Sequence, residues 1–363
     1  MSEDRLVLGV DTSAYTTSVA VVTVDGRLVS DRRQVLAVPS GRRGLRQSDA
    51  VFQHVTRLPE LLEAAAADAA AWLAASAGAA SPGGGALPLA AVAASVAPRS
   101  RPDSYMPVFR AGAGFARALA AWHGVPFIDV SHQDGHIWAG LWSAAPGGTE
   151  ADGAAAALWR DVDDVVVLHA SGGTTELLRA RRTRRAGDGP EEPFASARWI
   201  VESLAASEDL YAGQFIDRAG VRLGLPFPAG PHLERLAAEG DPAAAPLPVA
   251  VRGHRLSFSG PDTAAARLTE RGVAAADVAA AVQECVAASL SRWAAQVLAE
   301  GAPALFLGVG GVMANQALRR RLSETLSPLG VRCVFAAPRC SVDNAIGVAL
   351  AGAVWLGSPG EQR

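Results

Sequence analysis

The chain has 363 residues, 50% of them hydrophobic and 19% charged, and this length suits two domains better than a single core. All 33 basic residues are arginines, which excludes a lysine Schiff base or a phosphate-binding lysine. The net charge of −3 excludes polyanion binding by bulk electrostatics, and three cysteines at no metal-finger spacing argue against a disulfide scaffold.

The first half of the sequence alternates between strand and helix patterns. Two strand-like runs are joined by the polar sequence Asp11-Thr12-Ser13, which predicts a turn, and Asp25-Gly26 predicts a hairpin. The predicted elements are strands at 5–10, 18–24 and 27–38, a long amphipathic helix at 50–77, a linker at 78–88, a strand at 89–96, a loop at 98–107, a helix that closes at Gly124, and a strand at 126–130.

The second half restarts the same pattern after a Gly-rich linker at 146–153. It begins with a strand at 164–169, the small polar turn 171–175 and a strand at 176–181. Later elements are a helix at 277–300, a strand at 304–309, a helix at 314–326, a strand at 331–336 and a helix from Asn344. The two halves therefore predict two copies of one plan, in an α/β architecture with ligand-binding turns at strand ends.

Signals for large partners are weak. No signal peptide pattern opens the chain and no apolar run of roughly 18 or more residues is uninterrupted, so we expect a cytoplasmic protein without a membrane segment. An arginine cluster is interpreted as a solvated hairpin or, alternatively, as a contact with RNA phosphates. Its members are Arg179, Arg181, Arg182, Arg184 and Arg185.

The sharpest local motif is a pair of histidines, His132 and His136. On a helix, positions i and i+4 share a face, so both imidazoles could reach one cation. The alternative is two histidines at a chance spacing. A zinc protease of the His-Glu-x-x-His type would need a glutamate general base where Gln133 stands, so hydrolytic protease chemistry is disfavoured.

A third ligand of such a site should be a carboxylate, and Asp343 is the candidate because it sits at a predicted strand-to-helix junction. Its alternative role is a helix N-cap, which needs no metal. Two histidines and a carboxylate accommodate iron, zinc or manganese.

Small polar turns supply candidate nucleotide contacts. Glycines in Ser171-Gly172-Gly173-Thr174-Thr175 and in Gly310-Gly311 would let the backbone approach a phosphate or adenosine. Either glycine pair could also be a plain tight turn. Asp11, Thr12 and Ser13 suit a phosphate or a metal-bound water, and equally a simple turn. Asp217 and Glu202 are further polar candidates with the same ambiguity.

These fragments, in this order, resemble one family over residues 6–353. It is the transferase family of tRNA threonylcarbamoyladenosine synthesis, long labelled O-sialoglycoprotein endopeptidase or glycoprotease. The segments that carry the resemblance are His132-Gln133-Asp134-Gly135-His136, Ser171-Gly172-Gly173-Thr174-Thr175, Phe215-Ile216-Asp217-Arg218-Ala219 with 223–231, Ser257-Phe258-Ser259-Gly260, Gly310-Gly311-Val312-Met313-Ala314-Asn315 and Asp343-Asn344-Ala345.

The resemblance implies a two-lobed actin/Hsp70/sugar-kinase (ASKHA) fold, each lobe a mixed β-sheet flanked by helices, with a ligand cleft between the lobes. Lobe I would span 1–130 with 344–363 returning to it, and lobe II would span 131–343. The implied reaction moves the L-threonylcarbamoyl group of L-threonylcarbamoyl-adenylate to N6 of adenosine 37 in tRNA. A homodimer, or a heterodimer with a subunit of the same fold, would assist it.

The resemblance also implies roles for individual residues. A divalent ion, expected to be iron or zinc, would bind His132, His136 and Asp343, and His169 stands near a position where some family members carry a fourth ligand. The catalytic turn would be Asp11, Thr12 and Ser13. The adenylate would contact Ser171, Gly172, Gly173, Thr175, Asp217, Gly230, Gly310, Gly311 and Asn315.

The sequence departs from the family pattern at several polar positions. Tyr15 and Thr16 stand where the family has two acidic residues, and Asp262 stands where it has a lysine. Pro98-Arg99-Ser100 replaces a Gly-Pro-Gly loop, and Gln214 replaces a glutamate. An alternative hypothesis is therefore a paralogue that binds nucleotide and metal but acts as a partner subunit or uses another acceptor.

Overall fold

The computed structural model describes residues 5–13, 15–38, 45–77, 87–101, 103–144, 157–182, 199–299, 301 and 303–357. The chain divides into two compact units. Unit 1 comprises Met1–Val162, Arg182–Ile200 and Asp343–Arg363, and unit 2 comprises Asp163–Arg181 and Val201–Val342. The lobe boundary expected at 130/131 thus falls inside unit 1, because the helix that comes next in the chain packs on elements of that unit.

The first sheet has five strands in the order β3-β2-β1-β4-β5. β1 pairs antiparallel with β2, which pairs antiparallel with β3, whereas β1–β4 and β4–β5 are parallel. Both faces of β1 and β4 are buried, so β4 and the first five residues of β1 consist almost entirely of small and branched apolar residues. The strands are β1 (Leu6–Ser13), β2 (Thr16–Thr23), β3 (Leu28–Val35), β4 (Leu89–Ala97) and β5 (Phe127–Ser131).

Five described helices belong to the part of the chain in unit 1. The long helix expected at 50–77 is confirmed, and it begins three residues earlier. The helices are α1 (Gln47–Ala77), α2 (Phe109–His123), α3 (His132–Ser143), α4 (Ala157–Asp161) and α10 (Ile346–Gly357). The predicted linkers at 78–88 and 146–153 lie largely or wholly outside the described residues.

The second sheet repeats the plan of the first. Its order is β12-β11-β6-β7-β8, with an antiparallel β6–β7 pair and parallel β6–β11 and β11–β12 pairs. The strands are β6 (Asp164–Ala170), β7 (Thr175–Arg182), β8 (Trp199–Ala206), β11 (Leu305–Val309) and β12 (Arg332–Phe335), and a separate two-stranded sheet joins β9 (Val251–Arg252) to β10 (Arg255–Leu256). The expected duplication is confirmed, although the sequence did not predict the position of β8.

The helices of unit 2 enclose a core built around α8, whose buried face carries residues such as Val282, Leu290 and Trp293. They are α5 (Ala212–Arg222), α6 (Gly230–Ala237), α7 (Ser259–Glu270), α8 (Ala275–Leu298) and α9 (Gln316–Leu326). A 3₁₀ turn over Gly311–Ala314 precedes α9 where a helix was expected from Ala314. No helix in the described ranges is long and apolar enough to cross a membrane.

The turn predicted at Asp11-Thr12-Ser13 is wrong. These residues continue β1, and the ladder pairs them with Ser18, Thr17 and Thr16 of β2. Side-chain polarity suggested a turn, but the polar groups find partners inside the fold, so the strand extends to Ser13. The consequence is that the side chain of Asp11 is held in a fixed direction by the pleat.

Helices α3 and α10 touch through their backbones. A Cβ atom added to Gly347 would lie 1.8 Å from the carbonyl oxygen of Gly135 and 2.8 Å from the amide nitrogen of Ala139. Only glycine fits at position 347, and the short interhelical distance is the reason. Because Gly135 lies between His132 and His136, this contact fixes the histidine pair relative to the start of α10.

We expect Gly347→Ala to lower the free energy of unfolding by about 1–3 kcal/mol, because the added methyl group must push α10 away from α3. Chemical denaturation of the purified variant measures this difference. Gly114→Ala is the matched control, since Gly114 is exposed on α2 and its added Cβ would meet nothing within 4 Å. There the helix propensity of alanine should raise stability by up to about 1 kcal/mol. Equal effects of the two substitutions would contradict the packing argument.

Candidate metal centre and nucleotide-binding residues

His132 and His136 lie on the first turns of α3, as the sequence predicts. The helix starts directly after β5, and the Ser131 hydroxyl caps it by accepting a hydrogen bond of 3.0 Å from the amide of Asp134. A capped helix at the end of a buried parallel strand holds both histidines on one face. The Nε2 atoms of His132 and His136 are 3.0 Å apart.

Asp343 joins this pair although it lies more than two hundred residues later in the chain. Its Oδ1 atom is 3.5 Å from Nε2 of His132 and 3.5 Å from Nε2 of His136. The three ligand atoms lie within 4.8 Å of one another, and the three side chains are partly buried. Ligand atoms about 2.0–2.2 Å from a tetrahedral ion would be about 3.3–3.6 Å apart. The two separations of 3.5 Å match this range, and the two histidine nitrogens, 3.0 Å apart, need to separate only slightly for the three residues to fit a divalent metal ion.

The alternative role of Asp343 as a helix cap belongs instead to its neighbour. The Asn344 side-chain oxygen accepts hydrogen bonds from the amides of Ile346 and Gly347, at 3.0 and 3.4 Å. Asn344 therefore caps α10, and the carboxylate of Asp343 is left to face the histidines. Arg33 of β3 supports this segment by donating to the main-chain oxygen of Asp343 at 3.5 Å.

Asp11 lies behind His132. Its carboxylate is fully buried, and Oδ1 is 3.1 Å from Nδ1 of His132. The Ser13 hydroxyl donates to Oδ2 at 2.6 Å, and the Ser95 hydroxyl of β4 donates to Oδ1. The Thr12 hydroxyl faces elsewhere, donating to the carbonyl of Val108 at 2.9 Å. The sequence did not indicate Ser95, because nothing in a buried apolar strand marks one serine as a partner of Asp11.

The charges in this group are strongly coupled. Burial alone would lower the pKa of His132, but the carboxylates of Asp11 and Asp343 outweigh it and raise the pKa to about 10 in the metal-free protein. For Asp343 the effects have the opposite signs. Burial alone would raise its pKa, but its contacts with His132 and His136 hold that pKa well below its ordinary value. The carboxylates of Asp11 and Asp343 thus stabilise a positive charge at this site, and a bound divalent cation would supply such a charge.

The expected phosphate turn Ser171–Thr175 connects β6 to β7 in unit 2. Gly172 and Gly173 are exposed, and the amide of Ser171 donates to the carbonyl of Thr174 at 2.8 Å. The N-terminus of α5 rests against this turn, since the amide of Gly213 donates to the carbonyl of Ser171 at 3.2 Å. The Thr175 hydroxyl accepts from the amide of Ala212 at 2.9 Å. Two exposed glycines and a helix start therefore lie together, an arrangement suited to an anion, and the amide of Gly173 donates to the Ser171 hydroxyl at 3.2 Å.

The other expected nucleotide contacts are linked through α6. Asp217 accepts a hydrogen bond of 2.8 Å from the amide of Ala229, directly before Gly230, where α6 begins. Glu234 of α6 accepts from the amide of Gln316 at 2.8 Å, next to Asn315. The side-chain oxygen of Asn315 caps α9, and its amide group donates to Gln283 at 2.8 Å.

Gly310 needs its special backbone. Its φ of 96° is in the left-handed region, and an added Cβ would lie 2.2 Å from the carbonyl oxygen of Ala170. Gly311 starts the adjoining 3₁₀ turn. The turn between β11 and α9 therefore lies against the end of β6, just before Ser171.

His169 and the arginine cluster gain no support as ligand contacts. His169 lies in unit 2, with Nδ1 3.9 Å from a carboxylate oxygen of Glu176. Arg179 is ion-paired with Asp164 at 2.6 Å, and Arg181 with Glu202 at 3.0 Å. Arg184 and Arg185 lie outside the described residues.

Asp209 is a polar centre that the sequence analysis did not single out. Its carboxylate accepts from the hydroxyls of Ser257, at 2.5 Å, and Ser259, and from the amide of Phe258 at 3.1 Å. Burial would raise the pKa of Asp209, but these hydrogen bonds lower it. The matched segment Ser257-Phe258-Ser259-Gly260 is thus tied to the loop before α5. A lone aspartate in that loop carries no sequence signal of this contact.

Comparison with known proteins identifies the family. A model of the tRNA N6-adenosine threonylcarbamoyltransferase family matches residues 100–350. A protein of that name from Methanopyrus kandleri is 32% identical, covering 96% of this chain and 86% of the relative. One from Thermus thermophilus is 31% identical, covering 95% and 91%. The chain belongs to the tRNA N6-adenosine threonylcarbamoyltransferase family. The expectation of an acyltransferase family is therefore confirmed.

Solved structures agree on the fold. HypF from T. kodakarensis matches with a TM-score of 0.55 and 14% identity, covering 98% of this chain and 48% of HypF. At this identity the likeness concerns the fold alone. Together with the two mixed sheets flanked by helices, it confirms the expected actin/Hsp70/sugar-kinase class.

We expect His136→Ala to abolish stoichiometric binding of zinc or iron, since it removes one of three convergent ligand atoms. Metal content after reconstitution, measured by elemental analysis, tests this. His123→Ala is the control, because His123 is an exposed histidine at the end of α2. Full metal content in His136→Ala would contradict the site.

A buried histidine outside the ligand group predicts a pH effect. His54 of α1 is fully buried with Nδ1 2.8 Å from the Thr17 hydroxyl, and burial lowers its pKa to about 4, against a smaller opposing effect of Asp11. In the unfolded chain the imidazole of His54 takes up a proton near pH 6.5, whereas in the folded chain it does so only near pH 4. Between these values protonation favours the unfolded chain. Stability should therefore fall as pH drops through this window, by up to about 3 kcal/mol.

Denaturation at pH 7, 5.5 and 4.5 measures the effect. In His54→Gln the fall attributable to this residue should disappear, whereas the exposed-site control His123→Gln should keep it. An unchanged pH dependence in His54→Gln would refute the assignment.

Proposed function

We propose that this protein transfers the L-threonylcarbamoyl group of L-threonylcarbamoyl-adenylate to N6 of adenosine 37 in tRNA, with one divalent metal ion, iron or zinc, as cofactor. Family membership supports the reaction class, since the relatives carry this activity in their names. The observation that carries the proposal is the convergence of His132, His136 and Asp343. A bound ion would act there as a Lewis acid and template for phosphate or carbamoyl oxygens.

The chemistry is an acyl transfer in which the adenine N6 attacks the carbamoyl carbon. The bond from that carbon to the phosphate oxygen breaks, AMP leaves, and the amine loses one proton. AMP departs with negative charge on its phosphate, so the protein must offer donors to it. The exposed turn at Gly172 and Gly173, beside the start of α5, is suited to that task if the Gly173 amide exchanges its bond to the Ser171 hydroxyl for one to the phosphate.

The adenosine half of the donor is assigned to the linked group in unit 2. Asp217, Gly230 and Asn315 belong to segments that hydrogen bonds tie together. Gly311, next to Gly310, has nothing within 4 Å of the position that a Cβ would take, so the space beside it is open. Thr175 supports the phosphate turn from behind by its bond to Ala212. Thr12 and Ser13 are then internal hydrogen-bonding residues of β1 rather than groups that touch substrate.

A second candidate function is a metal- and nucleotide-binding paralogue that serves as a partner subunit or carbamoylates another acceptor. The replaced polar residues favour it. Tyr15 is 42% exposed where the family has an acidic side chain. Asp262, in place of a lysine, is buried and paired with Arg222 at 2.5 Å and with Arg218 at 3.4 Å. The positive charge of the family's lysine is thus partly replaced by those of Arg218 and Arg222. The replacement at Asp262 is therefore weaker support for the partner-subunit function than the replacement at Tyr15.

Reconstitution separates them. We expect the metal-loaded protein, given L-threonylcarbamoyl-adenylate and unmodified tRNA, to form the modified nucleoside, detected by mass spectrometry of the digested tRNA. His136→Ala should lose at least about 100-fold in rate and His123→Ala should not change. The assay is run alone and with a same-fold partner subunit from the host, because a homodimer or heterodimer is part of the proposal.

Complementation of a host strain that lacks its own cytoplasmic transferase provides the second readout. Growth rescue by the wild-type gene, lost in His136→Ala, is the expected result. Nucleotide and metal binding without modified tRNA in either experiment would favour the partner-subunit function. Consumption of the adenylate only with a small-molecule amine would favour a different acceptor.

A further inference from the structure

The buried carboxylate of Asp11 has no route to a substrate. It is fully enclosed, and its oxygens accept hydrogen bonds from Ser13 and Ser95 and lie against Nδ1 of His132. Burying an ionised carboxylate is costly unless its partners are fixed in advance. Because all the partners of the Asp11 carboxylate belong to the protein, we look for its role in the contact with His132.

We propose that Asp11 is a positioning residue that selects the tautomer of His132 and so presents its Nε2 atom to the metal ion. The inference rests on the metal part of the proposed function and replaces the expectation that Asp11 reacts with substrate. With the ion bound, Nδ1 of His132 would carry the one remaining ring proton and donate a hydrogen bond to Oδ1 of Asp11, at 3.1 Å. Nε2 then keeps its lone pair.

The opposite tautomer is incompatible with the surroundings. Without its proton, Nδ1 would place a lone pair against a buried carboxylate oxygen, and both groups would be left without a donor between them. The proton on Nε2 would instead occupy the space between Nε2 of His136, at 3.0 Å, and Oδ1 of Asp343, at 3.5 Å. A metal ion could not then use this nitrogen.

Two hydroxyl donors keep the carboxylate in place. Ser13 belongs to the same strand as Asp11, and Ser95 lies on β4, the parallel neighbour of β1. Both hydroxyls donate, so the oxygens of Asp11 remain acceptors for His132. Carboxylates that bond the distal nitrogen of a metal-bound histidine orient the ring and raise its basicity, and losing them typically weakens metal binding about 10–100-fold.

The test compares zinc affinity in Asp11→Asn and Asp11→Glu, measured by competition with a chromophoric chelator at pH 7. Asparagine keeps an acceptor but removes the charge, so zinc binding should weaken about 10–100-fold. Glutamate restores the charge and should recover part of the loss. Asp262→Asn is the matched control, because it removes another buried, charge-paired carboxylate that is in unit 2. Its zinc affinity should equal that of the wild type.

A second measurement needs no variant. The ¹⁵N shifts of the imidazoles in zinc-loaded wild-type protein should report the proton of His132 on Nδ1. A proton on Nε2, or wild-type zinc affinity in a folded Asp11→Asn, would overturn the proposal. Neither readout depends on acyl transfer, so an inactive protein that still binds zinc with this tautomer would count only against the proposed function.

Discussion

Helices α3 and α10 are held so close together that a single methyl group would not fit between them at Gly347. The remaining geometry of the candidate site depends on this contact. Because α10 begins just after Asp343 and α3 carries both histidines, the backbone contact of Gly135 and Gly347 determines where a carboxylate from the end of the chain meets the imidazole pair. A larger interhelical spacing would leave the three ligand side chains without a common position.

Behind this contact, strand β1 supplies an internal support. The ladder with β2 continues through Ser13, so Asp11 points to one face of the sheet, toward His132, and not into solvent. The strand pleat and the helix start at Ser131 are independent local structures, yet both must be correct for one hydrogen bond to form. The donor set is therefore rigid because it is fixed from two sides, by packing and by hydrogen bonding.

Features that arise from local sequence patterns could be predicted, whereas features that depend on distant partners could not. The helical pair His132 and His136 and the repeated strand order are both evident from spacing. The turn predicted at Asp11 was wrong, because its side chain is satisfied by Ser95 and His132, which no local window contains. The cap of α10 could not be assigned from sequence, since aspartate and asparagine are both good caps. The choice of Asn344 depends on the distant histidines, which engage the side chain of Asp343. The role of Asp209 was not predicted either, because its partners Ser257, Phe258 and Ser259 lie far from it in the sequence.

The placement of Asp343 has a consequence for how the protein comes into being. The ribosome makes α3, with both histidines, before unit 2, whereas Asp343 follows the whole of unit 2 in the chain. A nascent chain therefore holds the two histidines without the carboxylate until residue 343 has been added. A metal ion would meet its full set of ligands only after that point, and a product terminated before Asp343 would lack the carboxylate.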